Sequence, residues 1–300
     1  MQNYIGGVGM KKTLNTKKMI ILRQKEFNDK PPRKKIPSIT DPVYRFLNKK
    51  HIEAREGSGN EDLSQKVIGE FKKVPNSKNV VNDIRVDPSK IELGDESFSG
   101  CISMRQRDRI KRAIKRNKKV IIELNNKRVD FNPEWLKDPD FLAGRVNLNN
   151  LKDTPVLAHE LGHAERAARG SLFHDLQDKL RKSKLQKNAG AIGLASGFAS
   201  GYNQTKNDDD STIRKAEAYI PAVAINAPVL IEEADASRRG LRLMKNAGAS
   251  KTQLRRGRKS LAYAFGTYAI RPAAQIAMTG VGRVAGKVAG RLSKNKENKK

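Results

Sequence analysis

His159 and His163 stand four residues apart, with Glu160 between them, in the run TPVLAHELGHAERAARG from Thr154 to Gly170. On a helix, residues four apart share a face, so the two imidazoles point the same way. Two nitrogen donors on adjacent turns suit Zn²⁺, which takes nitrogen and carboxylate ligands in a tetrahedral shell. Glu160 is close enough to take a proton from a water that the metal activates, without ligating the metal itself. The plain alternative is a helix that carries two histidines by coincidence. The surroundings favour the metal. Leu157, Ala158, Leu161, Gly162 and Ala164 are uncharged, so the helix can be buried, and Gly162 leaves room for another backbone. Thr154 is the expected N-cap, Pro155 suits the first helical position, and Gly170 suits a C-terminal stop.

A catalytic zinc needs a third protein ligand and one position left for water. Of the other histidines, His51 falls in a basic arm and His174 follows the motif helix too soon to be a comfortable ligand. The better candidate lies in APVLIEEADASRRGLRLMKNAG, Ala227–Gly248, expected as a helix with Leu230, Ala234, Ser237, Leu241 and Met244 on its inward face. At 100° per residue, Glu233 lies about 60° from the centre of that face and Glu232 about 160° away, towards solvent. A charge on an inward face needs a partner; zinc is one, and an arginine is the alternative. Ser237, one turn after Glu233, is placed to orient a ligand from behind.

The motif HELGHA, the later Glu233-Ala234-Asp235-Ala236-Ser237 and the following Arg239 resemble the neutral zinc metallopeptidases of the YugP-like type. The resemblance spans roughly residues 120 to 276. It implies a gluzincin-like site: one Zn²⁺ on His159, His163 and Glu233, with Glu160 as general base and a peptide or protein as substrate. It also favours Glu233 over Glu232 as the ligand. The family's threonine-tyrosine pair in a late apolar helix is matched by Thr267-Tyr268, which makes Tyr268 a candidate catalytic residue beside His174. Members of the family tend to be membrane proteins, whereas the basic arms here are not a feature of it.

These residues need a scaffold, and the chain has the length for one sizeable domain with basic extensions. The expected class is α+β, mostly helical: a zincin-like metallopeptidase core with a small sheet or hairpin before the histidine helix and disordered basic termini. The expected boundaries are a basic arm over 1–60, holding at most a short helix near 43–55, a domain over 61–282, and a basic tail over 283–300. KVIIEL (119–124) and 127–131 read as a hairpin about Asn125-Asn126, and Arg145–Leu148 as a strand whose free edge could pair with an extended peptide. Helices are expected at 63–73, after a Ser103 cap, and at 171–187. Three apolar stretches follow, 188–202, 218–231 and 261–282. The second is broken by Pro221 and Pro228 and the third by Arg271 and Pro272. None reaches the roughly 20 residues needed to span a bilayer.

The net charge of +29 calls for an anionic partner or setting. The excess is concentrated before Lys50, in Arg105–Lys119 and after Arg238, where Glu297 is the only acid. No aromatic residues interleave with the bases, which argues against a sequence-reading nucleic-acid module. Contact of the arms with an anionic membrane or nucleic acid is the expectation, in a peripheral membrane or virion setting. No leader peptide is read at the N-terminus. The single cysteine, Cys101, excludes an internal disulfide framework and reads as a packing residue. The rival to an enzyme is a non-enzymatic structural or polyanion-binding protein built on a zinc-peptidase scaffold. An intact Glu160 argues against that.

Overall fold

The computed structural model describes residues 41–86, 96–124, 127–137, 142–170, 183–207 and 211–297. Residues 1–40, His174 and most of the helix expected at 171–187 lie outside these. The chain divides into two units. In the first, the described residues form the expected hairpin, β3 (Ile121–Leu124) paired antiparallel with β4 (Lys127–Asp130). The second carries everything that follows.

The second unit is mostly helical with one small sheet. Its helices are α1 (Asp41–Arg55), α2 (Glu61–Lys72), the short α3 (Ser77–Val80), α4 (Met104–Lys115) and α5 (Thr154–Ala168). After them come the short α6 (Lys184–Lys187), then α7 (Ala189–Lys206), α8 (Thr212–Glu217), α9 (Ile220–Asn246) and α10 (Lys251–Glu297). Ser103 caps α4 as expected, in a full capping box with Gln106.

The sheet has the order β1-β5-β2, with β1 (Val81–Val86) parallel and β2 (Ser97–Ser99) antiparallel to β5 (Gly144–Leu148). Gly144, Val146 and Leu148 alternate inward, so β5 buries one face and hands the chain directly to α5. The strand expected at 145–148 is therefore present, but it is central. Among the described strands the edges are β1 and β2, and neither is among the strands expected from the sequence.

The core joins Leu63, Val67 and Phe71 of α2 to Val146 and Leu148 of β5, Leu157 and Leu161 of α5, and Leu243 and Met244 of α9. Thr154 does not cap α5; Asp153 takes the cap position and bonds to Arg55. Thr154 is instead buried, donating to the Asn60 carbonyl at 3.1 Å and meeting Ser64 Oγ at 2.8 Å, which ties the start of α5 to α2. Gly170 ends the helix at φ +72°, the left-handed conformation expected there.

The short helix expected near 43–55 is present as α1, while the expected ends of the arm and of the tail both move. The arm expected to reach residue 60 contains α1, whose buried His51 ring meets the Ser260 carbonyl of α10 at 2.8 Å, so 41–60 belong with the helices. Burial pushes the His51 pKa down, against the raising effect of that bond, which leaves a neutral ring locking two helices together. The tail expected from 283 is helical to Glu297, with Gly286 and Gly290 buried. The prolines do not break their segments: Pro221 sits in the first turn of α9, and Pro228 and Pro272 lie inside α9 and α10.

Candidate metal centre

The centre forms where α5 crosses α9. A Cβ on Gly162 would collide with the Ala236 carbonyl of α9, and one on Gly240 with the Ala158 carbonyl of α5. The crossing is thus backbone against backbone, at residues with no side chain to hold it apart. Measured from Ala236, Glu232 and Glu233 lie about 40° and 60° to either side on the helical wheel. Both therefore face α5, and both are buried.

This corrects the placing of Glu232 in solvent. Of the face that runs through Leu230, Ala234 and Leu241, Ala234 is exposed; the packed line is Ala222, Asn226, Glu233, Ala236, Gly240 and Leu243. Small residues that permit close approach carry little hydrophobic weight, so a wheel scored by hydrophobicity misses the side that packs tightest.

His159 Nε2, His163 Nε2 and Glu233 Oε2 converge. His159 and His163 are 3.2 Å apart at Nε2, and the Glu233 oxygen is 3.3 Å from the first and 3.4 Å from the second. Ligand bonds of 2.0–2.1 Å at tetrahedral angles would separate neighbouring donors by roughly 3.3–3.4 Å. The three atoms thus have the spacing of one face of a tetrahedral shell, and this group could hold a metal ion. Two residues on, Asp235 is bonded by Arg238 and Arg239 at 2.7 Å each, whereas the Glu233 carboxylate meets the two histidines.

Each imidazole is held from behind. Ser237 Oγ lies 3.1 Å from His159 Nδ1, as its place one turn after Glu233 implies. Glu232 Oε1 lies 3.5 Å from His163 Nδ1. An acceptor at each Nδ1 favours the tautomer with its proton there, leaving both Nε2 lone pairs aimed at the shared point. Glu165, on α5, accepts from Arg169, Arg239 and Arg242 at 2.6–3.2 Å, and so clamps the helix pair that carries these residues.

Glu160 leaves the same helix towards the sheet. Its Oε2 accepts from the Phe98 N–H of β2 at 2.6 Å. Burial pushes its pKa up, opposed by the charges of His159 and His163 and aided by that of Glu233. Tyr268, on α10, is 45% exposed. Partial desolvation, with the charges of Glu233, Glu160 and Glu96, raises its hydroxyl pKa, so it keeps its proton. Its neighbour Thr267 donates back to Ala264 of its own helix.

Without metal, His163 is the proton store of the centre. Burial opposes its charge, but Glu232, Glu233 and Glu160 outweigh that and lift its pKa to about 10. Below the ordinary value of 6.5 this interaction contributes fully to the stability of the metal-free protein, and it is lost as pH rises through about 10. A ligating histidine must give up that proton. Metal uptake at neutral pH should therefore release about one proton per ion from this residue. Titration calorimetry of zinc into metal-free protein, in buffers of different ionisation enthalpy, measures that number directly; zero protons would contradict the charged state of His163.

No protein-family model, curated protein or solved structure matches this chain, so the function is argued from the geometry of the site itself.

Proposed function

We propose that the chain is a zinc-dependent metallopeptidase with a zincin-like core, of the gluzincin type, as the likeness of its motifs to the YugP-like peptidases suggests. The observation that carries the reading is the convergence of His159, His163 and Glu233 at tetrahedral spacing, with Glu160 on the next position of the same helix. Two nitrogens and a carboxylate suit Zn²⁺ better than Mg²⁺ or Ca²⁺, which take oxygen shells. Zinc held there would acidify a water and polarise the scissile carbonyl.

The chain's own residues do the rest. Glu160 takes the proton of the attacking water and returns it to the leaving amine nitrogen. The Phe98 N–H on its second oxygen fixes the carboxylate's direction. Tyr268, protonated and partly exposed, donates to the oxygen that gains charge in the transition state. An extended substrate runs past β2, whose Phe98 N–H stays with Glu160, rather than pairing with the central β5. A scaffold that only held metal would gain nothing from burying a third carboxylate at Glu160, since burial of an ionised group is costly.

The test joins metal analysis to a peptide-cleavage screen. The purified protein should carry one zinc per chain and cleave peptides. A chelator should stop cleavage, and stoichiometric zinc should restore it. A zinc-loaded, folded protein that cleaves no peptide across a broad library would sink the peptidase reading.

A further inference from the structure

The pairing of α7 with the second half of α10 is built from glycine. Gly193, Gly197 and Gly201 of α7 face the backbone of α10, and a Cβ on Gly282 or Gly286 of α10 would collide with the Leu194 or Phe198 carbonyl of α7. Two helices joined in this way need no large apolar residue between them. Yet α10 carries such residues on its other side. Val281, Val284, Val288 and Leu292 are 53–66% exposed and fall within an arc of about 80° on the helical wheel. The stripe is about 17 Å long. Phe198 and Leu194, whose backbones abut the buried glycines, are themselves partly exposed.

The charge around the stripe has one sign. From Arg271 to Glu297 there are six lysines and arginines and one acid, Glu297, which already pairs with Lys206 of α7 at 3.3 Å. Arg291 and Lys296, both exposed, flank the apolar line. A second copy of this chain laid on the same face would oppose cation with cation. Nucleic acid would satisfy the cations and leave the valines without a role. An anionic bilayer surface satisfies both, taking apolar side chains to the acyl boundary while phosphates and carboxylates of the headgroups meet the cations. Among the described residues no helix is long and apolar enough to cross a membrane, which fits a helix lying on the surface.

We propose that the exposed face of α10, centred on Val284 and Val288, docks this protein on anionic lipid bilayers. The surface lies on a helix pair that holds none of the metal ligands, so the proposal stands whether or not the centre is a peptidase. The test uses the full chain with phosphatidylcholine vesicles, with and without phosphatidylserine, in a sedimentation assay. Wild type should bind the phosphatidylserine vesicles and bind pure phosphatidylcholine weakly. The combined variant V284Q, V288Q and L292Q keeps the net charge and should lose at least about tenfold in partition, because three apolar contacts with the acyl boundary are removed. Unchanged partition would mean that charge alone holds the protein to lipid and would overturn the proposal. So would a parallel tenfold fall in duplex-DNA binding, or a wild-type dimer that the variant dissociates without any vesicle binding. A second variant guards against loss of folding: V288W keeps the face apolar, and its fluorescence should be quenched by brominated acyl chains above the Trp135 background. Absence of that quenching would equally reject the docking face.

Discussion

Glu160→Gln should keep one zinc per chain and lower peptide hydrolysis by about 10²–10⁴-fold, the usual contribution of a positioned general base. The expectation rests on what the substitution preserves. Glutamine has the size of glutamate, and its carbonyl oxygen can still accept from Phe98 N–H, the bond that now orients Glu160 at 2.6 Å. Glu160 is not one of the three convergent donors, so zinc content has no reason to fall. What is lost is the ability to take and return a proton. The burial that pushes the Glu160 pKa up also means the folded state carries the cost of a desolvated carboxylate. The neutral amide relieves that cost, so the metal-free variant should melt at or slightly above the wild-type temperature. Three measurements decide it: metal content, kcat on a cleaved peptide, and Tm. Hydrolysis within a few-fold of wild type would assign the proton transfer to another group, with Tyr268 the first to examine.

The parts of the site that could be read in the sequence are those set by local spacing. His159, Glu160 and His163 lie within one helical turn and a half, so their mutual geometry follows from helix periodicity alone. Glu233 is legible as an inward-facing charge even on a face centred away from the packed line, and the family likeness of its surroundings supports it. It survived because it lies on the border of both faces, 60° from either centre by the same wheel. Glu232 had no such luck: it lies on the far side of the glycine-alanine line, where a hydrophobicity wheel reads solvent. Its contact with His163 depends on how closely α5 and α9 approach, a distance set by Gly162 and Gly240 across the crossing. Tertiary packing of this kind leaves one cue in sequence, a run of small residues spaced by four, which Ala236 and Gly240 supply. The same cue is present in Gly193, Gly197 and Gly201, within a segment that reads only as apolar, and in Gly282, Gly286 and Gly290, the last two within a segment that reads as a basic tail. The sheet was half legible. β5 alternates visibly, but β2 is three residues long and owes its existence to pairing with β5. Proline misled at Pro228 and Pro272 because tertiary packing of long helices outweighs the loss of one backbone bond.

Glu232→Ala should weaken zinc binding, against the reading that left this residue in water, and the size of the loss should depend on pH. Two effects oppose each other. The carboxylate at His163 Nδ1 orients the ring and makes Nε2 a better donor; removal of such an outer partner costs about 10–100-fold in metal affinity. The same carboxylate also helps hold a proton on His163, whose pKa stands at about 10 in the metal-free protein, and that proton competes with the metal. In wild type, zinc affinity should therefore climb by about tenfold per pH unit from 7 towards 10, since one proton must leave. Without Glu232 the His163 pKa falls, so the climb should level off earlier. Near pH 9 the wild-type ring is much closer to giving up its proton, and more of the orienting loss of about 10–100-fold should show. At pH 7 part of that loss is returned by the weaker proton competition, so the two proteins should differ less. Glu232→Gln keeps an acceptor at Nδ1 without its charge and should fall between them at pH 9. Glu233→Ala, by contrast, removes a donor and should lose stoichiometric zinc at every pH. Competition titrations with a zinc-binding dye from pH 7 to 9.5 separate these outcomes. Parallel affinity curves for wild type and Glu232→Ala would show that the 3.5 Å contact between Glu232 and His163 is packing without coupling to the metal.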